Sequence, residues 1–172
     1  IENIDKPALS ALWPNKKGMS VVLDLGANIE CNTKNLVDFS IMGSSLYKSL
    51  YPNESPNVAL LNIGSEELKG NEIIKETYQT LNDKKSKNFD FAGYIEGNEL
   101  MNGNVNVIVS DGFTGNVALK TAEGTANFIT SELKQALSGS ILGKISSILN
   151  ISNLKKFKKR LDPRLYNGAI FI

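Results

Sequence analysis

Leu23-Asp24-Leu25-Gly26-Ala27-Asn28, Leu61-Asn62-Ile63-Gly64 running on to Lys69-Gly70-Asn71-Glu72, and Ser110-Asp111-Gly112-Phe113-Thr114-Gly115-Asn116 are the stretches whose reading decides the fold. Each closes an apolar, β-forming run with small and amide-bearing residues just where a helical pattern starts. Strand ends that feed helices belong to a parallel α/β sheet, and in such sheets they share one rim, where ligands bind. The expected rim is rich in Gly, Asn and Asp and carries one well-placed lysine, Lys69.

Working outward, Val21 to Leu25 reads as the first strand. The residues before it, with Pro7, Pro14 and Gly18, read as an irregular lead-in with a short turn at Ala8 to Trp13. A helix starts near a cap at Asn32 or Thr33, and Leu36, Phe39, Gly43, Leu46 and Leu50 form its single apolar face. Val58 to Ile63 is apolar on both faces, as an interior parallel strand should be. A second helix spans about Asn71 to Leu81 and is followed by a Lys-rich loop. Phe89 to Ile95 and Val105 to Val109 are further strands, separated by a short polar helix around Asn98 to Met101. A long helix from about Phe113 to Leu137 carries Ala122, Ala126, Ile129, Leu133 and Leu137 on one stripe. The alternation predicts a mostly parallel sheet with flanking helices and right-handed crossovers.

The segment 138–161 differs in kind and reads as a helical excursion protruding from the sheet. Between Ser138 and Arg160 it holds six basic residues (Lys144, Lys155, Lys156, Lys158, Lys159, Arg160) and no acidic one. Ile141, Leu142, Ile145, Ile148 and Leu149 share one helical face, and Leu154, Phe157 and Leu161 another. Two readings stand for these apolar faces: a bundle with the same segment of a partner, or contact with an anionic lipid surface that the lysines attract. The same lysines suit an acidic protein partner.

The 172 residues read as a single α/β domain. A hydrophobic fraction of 41% beside 22% charged residues is that of a soluble globular chain, and a net charge of +1 gives no case for nucleic acid. The single cysteine, Cys31, excludes an internal disulfide and reads as a buried small residue rather than a nucleophile. The chain begins at Ile1 and stops at Ile172 within an expected strand, so it is read as a fragment of a longer polypeptide.

With no histidine, Ser-His-Asp and Cys-His arrangements and His-based zinc sites are excluded, and no metal or cofactor is expected. Lys, carboxylates, amides and backbone donors remain. Asp24, Gly64 and Asp111 close strands on the same rim, and Gly26, Gly64, Gly70, Gly112 and Gly115 would let backbone amides come close to a ligand. Helices starting near Asn71 and Phe113 would aim N–H groups at that rim beside Lys69, a cradle for phosphate or another oxyanion. Asp24 and Asp111 equally suit ordinary turn caps, and Glu66-Glu67 a solvated helix start close enough to orient Lys69. No Walker or G-x-G-x-x-G sequence is present. Such a site permits attack of phosphate, already anionic at neutral pH, on an activated acyl group. That reaction needs positioning and oxyanion stabilisation more than a strong base.

The motifs Leu-Asp-Leu-Gly-Ala-Asn at 23–28, Leu-Leu-Asn-Ile-Gly at 60–64, Lys-Gly-Asn-Glu at 69–72 and Asp-Gly-Phe-Thr-Gly-Asn-Val-Ala-Leu-Lys-Thr at 111–121 resemble the acyl-carrier-protein:phosphate acyltransferase family of bacterial phospholipid synthesis. Leu161-Asp162-Pro163 and Tyr166-Asn167-Gly168-Ala169 extend the resemblance, which covers the C-terminal half of that family. It implies an isocitrate dehydrogenase/phosphotransacetylase-like fold and transfer of a long fatty acyl group from acyl carrier protein to inorganic phosphate. The product, acyl phosphate, would serve a downstream enzyme that acylates glycerol 3-phosphate. It further implies a homodimer, in the cytoplasm and peripherally associated with the membrane. Carried over by position, Lys69 and Asn116 are the expected principal residues, with Asp24, Asn28, Asn71 and Asp111 in support.

Three rivals remain in view. One is a phosphotransacetylase acting on an acyl-coenzyme A, with the same fold and phosphate logic. Another is a dehydrogenase of the related fold, for which metal-binding carboxylates are wanting. The third is a non-catalytic module that dimerises or binds membrane, or a fragment inactive by itself.

Overall fold

The computed structural model describes residues 4–83, 86–161 and 170–171. Lys84 and Lys85 of the Lys-rich loop, the motif residues 162–169 and the side chain of Leu161 lie outside the described residues.

Among the described residues, six strands form one sheet in the order β4-β3-β5-β2-β1-β6. Strand β1 is Leu9–Pro14, β2 Met19–Leu23, β3 Asn57–Asn62, β4 Asp90–Glu96, β5 Val107–Val109 and β6 Ile170–Phe171. The β2–β5, β5–β3 and β3–β4 pairings are parallel, whereas β1 runs antiparallel to both β2 and β6. The fold is therefore α/β with a mostly parallel sheet, as the sequence predicts. The expected turn at Ala8 to Trp13 is instead strand β1. Its alternation is visible once observed: Ala11 and Trp13 bury on one face while Leu12 faces the other, and Pro14 closes it at the hairpin.

Period-two alternation sends each interior strand into two cores. Val21, Leu23, Val58, Leu60, Val107 and Val109 enter one core, with Leu36, Phe39, Met42 and Tyr47 of α1 (Thr33–Leu50) and Ile74 and Leu81 of α2 (Glu72–Asp83). Val22, Ala59, Leu61 and Ile108 enter the other, with Trp13, Leu100 and Val105. Asn32 caps α1 through a reciprocal box with Asn35, Asn35 N donating to Asn32 Oδ1 at 2.9 Å and Asn32 N to Asn35 Oδ1 at 3.1 Å.

The second face is thinly covered. The crossover from β4 to β5 holds one short 3₁₀ turn, Gly97–Glu99, and the apolar side chains of α3 (Gly112–Ser138) that pack on this core are Ala118, Leu119 and Ala122. At about 1.5 Å per residue the 27 residues of α3 outrun strands of five to seven residues. Of its expected apolar stripe, Ala122 packs against this core, Ala126, Leu133 and Leu137 are half-buried, and Ile129 is exposed. Helices α4 (Ile141–Leu149) and α5 (Ile151–Leu161) follow, with no buried side chain among their described residues. No helix among the described residues is long and apolar enough to cross a membrane.

Candidate functional site

The carboxyl ends of β2, β5 and β3 lie side by side, so all three turns share one rim. They form two clusters of opposite character.

In the first, the fold consumes the polar groups. Asp24 is fully buried, and its carboxylate accepts from five donors. Oδ1 takes the amides of Leu9 (2.9 Å), Gly26 (3.2 Å) and Ala27 (3.0 Å). Oδ2 takes the amide and the side-chain Nδ2 of Asn28, both at 2.7 Å. The Asn28 carbonyl accepts from Gly112 N at 2.7 Å, and the Asp24 carbonyl from Ser110 Oγ at 3.2 Å. Helix α3 thus begins pressed on the β2 turn: a Cβ on Gly115 would overlap the Asp24 carbonyl oxygen, and one on Gly112 the Asn28 carbonyl. Asp111 caps α3, its Oδ1 accepting from Thr114 N at 2.8 Å and its Oδ2 from Thr114 Oγ1 at 2.7 Å. Gly112 and Gly115 therefore serve close packing, and the amides of Gly112, Thr114 and Gly115 are taken by protein acceptors rather than held for a ligand. Asp24 and Asn28 are the fasteners of this cluster. What it presents outward is Asn116, exposed, with its side chain against Gly26.

Cys31 lies behind the turn, buried, and donates weakly to the Asn28 carbonyl at 3.7 Å. Burial pushes its thiol above the ordinary value of 9.0, and Asp24 and Asp111 add to the rise against the hydrogen bond at Gly112. A thiol so disposed is poorly suited to nucleophilic work.

The second cluster leaves its cation free. The loop after β3 turns at Ile63 to Gly70, and Glu66-Glu67 is part of that turn rather than a helix start; α2 begins at Glu72. Asn71 caps it, Oδ1 accepting from Ile74 N at 2.9 Å. The Glu72 and Ile73 amides have no partner among the described residues. Gly64 is buried, and a Cβ there would meet Glu66 Oε2 and the Lys69 stem. Glu67 accepts at Oε1 from Tyr78 OH at 3.0 Å, and Tyr78 rests on Tyr94 and Phe91 with ring centroids 4.8 and 5.4 Å apart. Burial, then this bond to Glu67, raises the Tyr78 phenol. Lys69 is exposed, and its ammonium has no acceptor or acidic partner among the described residues. Lys69, Gly64, Gly70 and Asn71 are thus one group, and Asp24, Gly26, Asn28, Asp111, Gly112, Gly115 and Asn116 another. No group of His, Cys, Asp and Glu among the described residues could hold a metal.

Sequence reasoning missed a groove of about 760 Å³ on the thin face of the sheet. Trp13, Leu100, Met101, Ala118, Ala122 and Phe157 line much of it. It is within the size range of small-molecule sites. Its signal was faint: a ten-residue crossover that carries almost no helix, and alanines where a covering helix would place larger groups.

Solved structures share this fold. The EutD phosphotransacetylase from Staphylococcus aureus superposes with a TM-score of 0.55 at 15% identity, covering 74% of this chain and 44% of that one. A phosphotransacetylase from Streptococcus pyogenes gives 0.55 at 14%, covering 72% and 43%. At such identities the likeness defines the class of fold, a phosphotransacetylase-like α/β sheet. The family follows from sequence: residues 1–172 match the model described as fatty acid synthesis protein, and the chain belongs to that family. A phosphate acyltransferase of Pelagibacter ubique is 81% identical over all 172 residues, and one of Maricaulis maris 44% identical over 99% of the chain. The chain spans about half the length of these curated relatives, 52% and 49% respectively.

Proposed function

We propose that this chain supplies the phosphate-binding rim of an acyltransferase that moves a long fatty acyl group from acyl carrier protein to inorganic phosphate. The observation that carries the reading is the free ammonium of Lys69 on the rim of a chain whose relatives are named phosphate acyltransferase. A phosphate oxygen adds to the thioester carbonyl carbon, the C–S bond breaks, and the leaving thiolate takes up the proton the phosphate gives up. Lys69 neutralises the phosphate charge, and Asn116 donates to the carbonyl oxygen as negative charge develops there. Gly64, Gly70 and Asn71 shape the phosphate side of the rim, and Asp24, Gly26, Asn28, Asp111, Gly112 and Gly115 hold Asn116 in place.

A long chain is favoured over an acetyl group because an apolar groove starts at Ala118, two residues beyond Asn116. The arm of α4 and α5 supports a peripheral place on an anionic membrane. Ile141, Leu142, Ile145, Ile148 and Leu149 are exposed, Lys144 lies among them, and the basic residues of α5 follow. The bare apolar positions of α3, Phe128 and Ile129, suit a homodimer. One reading to weigh against this is a phosphotransacetylase-type reaction on an acyl-coenzyme A, which the fold likeness favours.

The test joins this chain to the N-terminal half that its relatives carry and measures acyl phosphate formed from phosphate and palmitoyl-carrier protein, with palmitoyl-coenzyme A beside it. Faster turnover of the carrier-protein thioester is expected. Preference for the coenzyme A thioester supports the phosphotransacetylase-type reading, and inertness toward both overturns the enzyme.

A further inference from the structure

We propose that Asn62, the last residue of β3, is the positioning residue for Lys69; the inference rests on the phosphate-site reading above. The loop that carries Lys69 has little apolar anchorage of its own, since Ile63 is 81% and Leu68 86% exposed. What holds it is polar. Asn62 Nδ2 donates to the Gly64 carbonyl at 3.2 Å and to the Lys69 carbonyl at 3.1 Å, so one side-chain amide fastens both ends of the turn. Its other end fits Gly70, which sits at φ +95°, where a Cβ would stand 2.5 Å from Asn62 Oδ1. Lys69 N closes the loop from within, donating to the Glu66 carbonyl at 3.0 Å.

The base of this clasp is rigid. Asn62 pairs with Glu96 across the parallel β3–β4 ladder, and Leu61 before it is buried. The geometry calls for a short side chain with two donor hydrogens on one atom: aspartate has no donor, serine reaches one carbonyl, and leucine none. An ammonium on a flexible four-carbon stem is placed by where its own backbone stands. Fixing the Lys69 carbonyl to the sheet therefore sets the volume the ammonium can sweep. Asn62 need not touch substrate to do this.

The experiment is a double-mutant cycle in the polypeptide that joins this chain to the N-terminal half of its relatives. Wild type, Asn62→Leu, Lys69→Ala and the double variant are compared in kcat, in KM for phosphate and in KM for the acyl donor, with Asn62→Ser as a smaller variant should Asn62→Leu fold poorly. The expected result is a loss of roughly 10- to 100-fold in kcat/KM for phosphate on changing Asn62, with KM for the acyl donor unmoved. In the Lys69→Ala background the same change should cost no more than about twofold, because its effect passes through Lys69. Equal losses in both backgrounds, or a rise in both KM values together, would overturn the inference and leave the phosphate site standing. Normal turnover in Lys69→Ala alone would overturn both.

Discussion

The turn after β2 and the loop after β3 end neighbouring regions of one rim, yet they treat their charged residue in opposite ways. Asp24 is buried and every carboxylate oxygen is engaged, three donors on one and two on the other. Lys69 is exposed, with its backbone clasped and its ammonium unengaged among the described residues. The difference separates two uses of a polar residue at a strand end. A carboxylate that its own backbone saturates is part of the scaffold, while a cation held by the main chain alone is available to an anion. Asn116 belongs to the locked side, exposed and with its side chain against Gly26.

The comparison breaks most visibly at Gly115. Gly115→Ala drives a methyl group into the Asp24 carbonyl, and a loss of about 3 kcal/mol is expected. A fall of roughly 10 °C in the thermal midpoint would register it; an unchanged midpoint would mean that α3 does not press on the β2 turn. Asp24→Asn comes next, because it puts an amide among donors that need an acceptor. About 2 kcal/mol is expected, read by urea unfolding, and a neutral result would deny Asp24 its scaffold role. The smallest effect on stability belongs to the most open region. Leu142 is 79% exposed on α4, so Leu142→Glu should move stability by no more than about 0.5 kcal/mol. It should nonetheless abolish sedimentation with vesicles of phosphatidylglycerol, and vesicle binding that persists would assign that face to another partner.

Much of this was legible in the chain, and for local reasons. Interior strands such as β3 announce themselves by being apolar on both faces, and Asn32 and Thr33 announce the start of α1, with Asn32 the cap in the structure. The shared rim followed from the parallel pattern alone. What escaped depends on geometry between elements. Strand β1 alternates too briefly, between Pro7 and Pro14, to be told from a turn. Gly112 and Gly115 read as ligand-approach glycines, although the backbone they admit belongs to Asn28 and Asp24. Asn62 shows no role within its motif, because nothing in its spacing reveals that its amide spans Gly64 and Lys69. The groove arises from a helix that is absent, and a sequence pattern records only those that are present.

The most direct test of the open cation is Lys69→Ala in the polypeptide joined to the N-terminal half of its relatives, with kcat/KM for phosphate and the thermal midpoint measured on the same preparation. The account predicts a fall of about 100-fold or more in kcat/KM at an unchanged midpoint. Activity within a few-fold of wild type, or a loss matched by unfolding, would contradict it.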